Sequence, residues 1–137
     1  MYDRWEYTVP ANTAEADAIR VKCKVTPGML TRLRVYHPQG CENLVRGRVF
    51  LGEKPIAPRS SKNYLAGEGF VCDIRDARET ISEDLPVLNW ELWNLDDTYN
   101  HTPWIDAEWT SEYEPYEKKI HQSIHDFVTD LRRLIGL

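Results

Sequence analysis

Four of the five tryptophans fall in one stretch, residues 85–109, LPVLNWELWNLDDTYNHTPWIDAEW, and side chains alternate on both sides of its polar centre. Leu88, Trp90 and Leu92 share one face of an extended segment, with Asn89, Glu91 and Trp93 on the other. After the centre, Ile105, Ala107 and Trp109 share a face opposite Trp104, Asp106 and Glu108. Successive side chains of a strand point to opposite sides, so this period of two predicts strands with one buried face. That face needs a second layer to cover it, which directs the chain towards a two-layer β fold. The centre, NLDDTYNH at 94–101, is rich in turn formers, so the stretch reads as one long antiparallel hairpin. That register sets Glu91 opposite Asp106, an unfavourable pairing of like charges.

The same alternation recurs upstream. In IRVKCKV, residues 19–25, Ile19, Val21, Cys23 and Val25 point one way and Arg20, Lys22 and Lys24 the other. Residues 29–36 set Thr31, Leu33 and Val35 against Arg32 and Arg34, and residues 44–51 set Val45, Val49 and Leu51 against Arg46 and Arg48. Gly47 lies on the apolar side of that strand and marks a bulge or a close approach by another backbone. Phe70, Cys72 and Ile74 give a further short strand, and Pro/Gly turns separate the segments. The expected core is Val21, Cys23, Leu33, Val35, Val49, Cys72, Trp90, Leu92, Ile105 and Ala107. Residues 1–18 read as an arm or an edge strand, with Trp5, Tyr7 and Val9 alternating.

After Glu114-Pro115 the period changes. Ile120, Ile124, Phe127, Leu131 and Leu134 are spaced as a heptad-like stripe, and Arg132 and Arg133 lie near the end, where a helix dipole favours cations. The prediction is a mainly β chain: an antiparallel β-sandwich of jelly-roll type at 19–112, followed by a C-terminal amphipathic helix at 113–137 that mediates oligomerisation.

A length of 137 residues suits one core. The net charge of −5 argues against direct nucleic-acid binding. No apolar run approaches a membrane span and the N-terminus has no apolar signal core, so no membrane contact and no export by that route are expected. Three cysteines, an odd count without close pairs, argue against a disulfide framework or a zinc site. A Cys23–Cys72 bridge like that of antibody domains would lack the intervening tryptophan. A reducing compartment is the simpler reading.

Several groups invite a function. If the basic strands share a sheet, Arg20, Lys22, Lys24, Arg32, Arg34, Arg46 and Arg48 give it a basic outer face, on which Arg32, Arg34, Arg46 and Arg48 are expected to dock an acidic partner; the plain alternative is a solvated face whose charges pair with neighbouring carboxylates. Trp93 and Trp104, with Tyr99, would make an exposed aromatic platform, either for a partner or for a sugar. Glu91 with Asp106 or Glu108 could serve as a glycosidase acid pair. Asn94, Asp96, Asp97 and Asn100 match no calcium loop and read as turn formers, and His121 and His125 lack the glutamate of a zinc-protease helix. No cofactor, metal or catalytic residue is expected.

The segments GCENLVRGRVFLGEKPIAPR, residues 40–59, and LNWELWNLDDTYNHTPWIDAEW, residues 88–109, resemble small β-sandwich decoration or accessory proteins of tailed-virus capsids. Pro38, Gly40, Cys41, Leu44 and Val45 match one motif of that group, and Trp93, Asn94, Asp96, His101 and Thr102 the other. The resemblance spans residues 19–110 and does not reach the terminal helix. It implies a structural role in a virion, assembled in the host cytoplasm, as an oligomer clamped to other virion proteins, with the motif residues serving as turn and core determinants. The leading expectation is therefore a non-enzymatic assembly protein; a carbohydrate-binding sandwich is the alternative.

Overall fold

The computed structural model describes residues 1–110 and 127–134. The described strands are β1 (Tyr2–Glu6), β2 (Ile19–Lys24), β3 (Gly28–His37), β4 (Val45–Leu51), β5 (Lys54–Ala57), β6 (Leu65–Ala66), β7 (Phe70–Ile74), β8 (Glu79–Ile81), β9 (Val87–Asn94) and β10 (Trp104–Thr110). A single 3-10 turn, Glu15–Asp17, precedes β2, and residues 127–134 form a helix, α1.

Two antiparallel sheets result. One has the order β1-β10-β3-β7, with β8 also pairing β3; the other has the order β2-β9-β4-β5, with β6 also pairing β4. The outermost chain segments pair first, β1 with β10 and β2 with β9, and then β3 with β7 and β4 with β5. Successive pairs fall in alternate sheets, which is the wrapped double Greek key of a jelly roll. The expected β-sandwich with a C-terminal helix is what the chain forms.

The expected hairpin is overturned. β9 and β10 lie in different sheets, and residues 95–103 carry the chain from one sheet to the other. The charges on the strands supply a reason. In the hairpin Glu91 would face Asp106; in the jelly roll the cross-strand neighbours of Glu91 are Arg20 and Arg48, and those of Asp106 are Arg4 and Arg34. Each acid thus stands between two arginines, whereas like charges directly opposed destabilise a sheet.

The connection is held by its own polar groups. The fully buried Asn94 donates from Nδ2 to the carbonyls of Val9 (3.2 Å) and Tyr99 (3.0 Å), while its Oδ1 accepts from the Asp96 N–H. The Leu95 N–H donates to the Leu44 carbonyl at 2.9 Å, which draws the chain towards the start of β4 and away from a tight return along β9.

The core follows the alternation. Cys23, Leu33, Val35, Val49, Trp90, Leu92, Ile105 and Ala107 are buried, and Val21 and Cys72 pack against them with part of their surface exposed. Gly47 is a close approach, not a bulge: a Cβ there would lie 2.7 Å from the Glu91 carbonyl oxygen, and the register irregularity of β4 falls later, between Val49 and Phe50. All three cysteines are free thiols, with Cys23 and Cys41 buried.

Candidate functional site

The outer faces of the two sheets hold nearly all of the charged and aromatic residues singled out above. The basic strands do not share one sheet: β3 belongs to one, β2 and β4 to the other, and each is interleaved with an acidic strand. The single basic face is replaced by two faces of alternating sign.

On the β1-β10-β3-β7 sheet, Asp106 is the hub. Only 2 % exposed, it accepts two hydrogen bonds from Arg34 (2.9 and 2.6 Å), one from Arg4 (3.0 Å) and one from the Tyr2 hydroxyl (2.9 Å). Burial pushes its pKa up, but the donors from Arg34, Arg4 and Tyr2 overcome that and hold it below the ordinary carboxylate value. Arg32 binds Asp73 through two parallel hydrogen bonds (3.0 and 2.9 Å), which with Arg75 lower the Asp73 pKa to about 2. Trp104 is covered on this face: the Arg4 guanidinium lies 3.9 Å from its ring centroid, and Tyr36 stacks on it at 5.4 Å.

On the other sheet, Arg48 is largely buried. It donates to Glu91 (2.9 Å), Glu15 (2.5 Å) and the Asn63 carbonyl (2.7 Å), and its guanidinium lies 4.7 Å from the Trp93 ring centroid. Trp93 is only 1 % exposed, sealed by Arg48 and by Tyr64 edge-on at 5.9 Å. Arg46 lies over Tyr64 at 4.6 Å and donates to the Asn43 carbonyl. The four arginines expected to dock a partner therefore all have partners within the chain: three hold carboxylates, and Arg46 holds a ring and a backbone oxygen.

Nor does the aromatic platform form. Trp93 and Trp104 lie in different sheets, one buried and one capped by Arg4. Tyr99, on the connection, stands exposed. The proposed acid pair is likewise split: Glu91 lies in one sheet, Asp106 and Glu108 in the other, and Glu91 and Asp106 are each neutralised by arginine.

The resemblance motifs occupy two loops at one end of the sandwich. Glu68 accepts hydrogen bonds from the Gly40 and Glu42 amides, and these backbone donors lower its pKa. Cys41, fully buried, donates from Sγ to the Gly67 carbonyl at 3.0 Å. In the second loop Asp96 accepts from the Thr98 and Tyr99 amides and pairs with His101 at 2.8 Å, while Thr102 meets Thr8 at 2.9 Å. These oxygens bind the chain's own amides and imidazole, and no group of metal-ligating side chains occurs among the described residues.

Two open surfaces stand out among the described residues. Phe127, Val128, Leu131 and Leu134 of α1 are exposed, Leu134 by 84 %. Ile120 and Ile124 of the expected stripe lie outside the described residues, as do His121 and His125. The second is a groove of about 440 Å³ beside β2, lined by Arg20, Lys22, Lys24, Leu85, Val87 and Asn89 among others. In the sequence the β2 cations have the same alternating pattern as the arginines of β3 and β4. Their signal was the alternation in IRVKCKV; what the sequence hid was that β2 is an edge strand.

No protein-family model matches the chain, and no curated protein is significantly similar to it. No helix among the described residues is long and apolar enough to cross a membrane.

Proposed function

We propose that the chain is a non-enzymatic structural protein that associates through its C-terminal helix and docks on a larger assembly, as an accessory or decoration protein of a virion. The observation that carries the association is the open stripe of α1: Phe127, Leu131 and Leu134, spaced four and three apart, with Val128 widening it, all exposed. An isolated helix is marginal in water, and an apolar stripe at this spacing is stabilised when a facing helix covers it. The sandwich supports the reading from its side. Asp106 and Glu91 are held by arginines and Trp93 and Trp104 are covered by them, so these groups of the outer faces are occupied within the chain. The virion setting rests on the resemblance of the 40–59 and 88–109 segments.

The test is sedimentation of the full chain beside a Leu131→Asp/Leu134→Asp variant. Both side chains are exposed, so the sandwich should melt unchanged. The wild type should sediment as an oligomer and the variant as a monomer. A monomeric wild type at high concentration contradicts association through α1.

A further inference from the structure

We infer that the free edge of β2 is a docking site for an extended acidic segment of a partner protein, which adds to the sheet as a further strand. Among the described strands β9 is the only hydrogen-bonded neighbour of β2. Every second residue of Ile19–Lys24 therefore turns its N–H and C=O away from the sheet, the arrangement that strand addition uses.

Both faces of the edge specify what such a strand carries. On the inner side, Ile19 and Val21 pack on the core yet remain half-buried, so apolar side chains on an added strand would complete their burial. On the outer side stand Arg20, Lys22 and Lys24, all exposed. Arg20 has Glu53 at 3.6 Å; Lys22 and Lys24 have no ion-pair partner among the described residues, although the chain as a whole is acidic. Acidic side chains on the added strand would fall beside them as cross-strand neighbours.

The same charges decide against a second copy of this edge. Two β2 strands side by side would oppose lysine to lysine, the device by which edge strands avoid self-pairing. The occupant is an alternating acidic and apolar segment. The inference deepens the proposed docking role by naming the partner's chemistry, but it uses no residue of α1.

The experiment is fluorescence anisotropy of the full chain with three labelled heptapeptides: alternating glutamate and valine, alternating lysine and valine, and the glutamate peptide N-methylated at every second residue. The glutamate peptide should bind, more weakly as salt rises; the lysine peptide and the N-methylated peptide should bind at least about tenfold more weakly. The Lys22→Glu/Lys24→Glu variant should reverse the preference and take the lysine peptide, which also shows that the variant is folded. The Leu131→Asp/Leu134→Asp variant should bind the glutamate peptide as the wild type does, whether or not the chain associates through α1. Binding of both unmodified peptides alike, of neither, or of the N-methylated peptide undiminished overturns the inference.

Discussion

His37 makes the fold sensitive to acid. It is fully buried at the end of β3, and neither ring nitrogen makes a hydrogen bond of ordinary geometry. Burial drives its pKa down from 6.5 to about 4, against a smaller upward pull from the Leu65 backbone. The folded state thus holds the neutral ring where the unfolded chain already binds a proton. Stability from this residue is complete above pH 6.5, declines as the pH falls, and is gone by about pH 4, a loss of about 3 kcal/mol. Denaturant titrations at several pH values should show the wild type losing more than a His37→Leu variant across that window; parallel curves contradict the assignment. Asp73 and Asp106, whose pKa values are lowered, act in the next window down: their contribution is present above the ordinary carboxylate value and is lost as the pH falls through their folded values. Packing gives two further expectations at this scale. Trp90→Ala should cost about 3–5 kcal/mol by emptying the centre of the core. Gly47→Ala should cost about 1–3 kcal/mol, because the Cβ meets the Glu91 carbonyl of the paired strand and neither backbone can give way cheaply. Equilibrium unfolding midpoints check both; an unchanged midpoint for either variant contradicts the packing described.

Among the elements, β9 and β10 show what the sequence makes legible and what it does not. Alternation is a property of one strand, so Trp90, Leu92, Ile105 and Ala107 could be assigned to the core without knowing any partner strand. Pairing is a property of two strands, and NLDDTYNH has the composition of a hairpin turn whether it joins neighbours or crosses the sandwich. The charges carry the signal that alternation lacks: acids at Glu91 and Asp106 disfavour the hairpin and fit arginine-bearing strands on both sides. The same interleaving explains why the basic face did not form, since its arginines are the partners of those acids. Register held this way should be measurable. Asp106→Asn keeps the shape of the side chain and removes its charge, leaving Arg34 and Arg4 without their shared carboxylate. It should cost about 1–3 kcal/mol, as charged hydrogen bonds do. A double-mutant cycle with Arg34→Met, read by denaturant melts, should show coupling between the two sites, and additivity contradicts the pairing. The exposed face of α1 was also legible, because Phe127, Leu131 and Leu134 follow the helical period. Edge position was not, since it depends on which strands pair, and so Lys22 and Lys24 could not be told from Arg46 and Arg48.

At the scale of the molecule, the jelly roll closes most of its surface on itself. Both sheets bury their inner faces against each other, and on their outer faces acids, arginines and tryptophans cover one another. Among the described residues, the apolar side of α1 and the basic edge at β2 are two open surfaces suited to holding neighbours, and they lie on separate elements. On the function proposed above, such a chain would work as one part of a larger body. The measurement that tests this most directly is the mass of the particle in which the native protein is found, taken at low salt from its source without crosslinking. The expected result is a particle many times the mass of one chain, which releases the protein when salt is raised. Recovery of the native protein as a lone chain, at low salt and at its natural concentration, contradicts it.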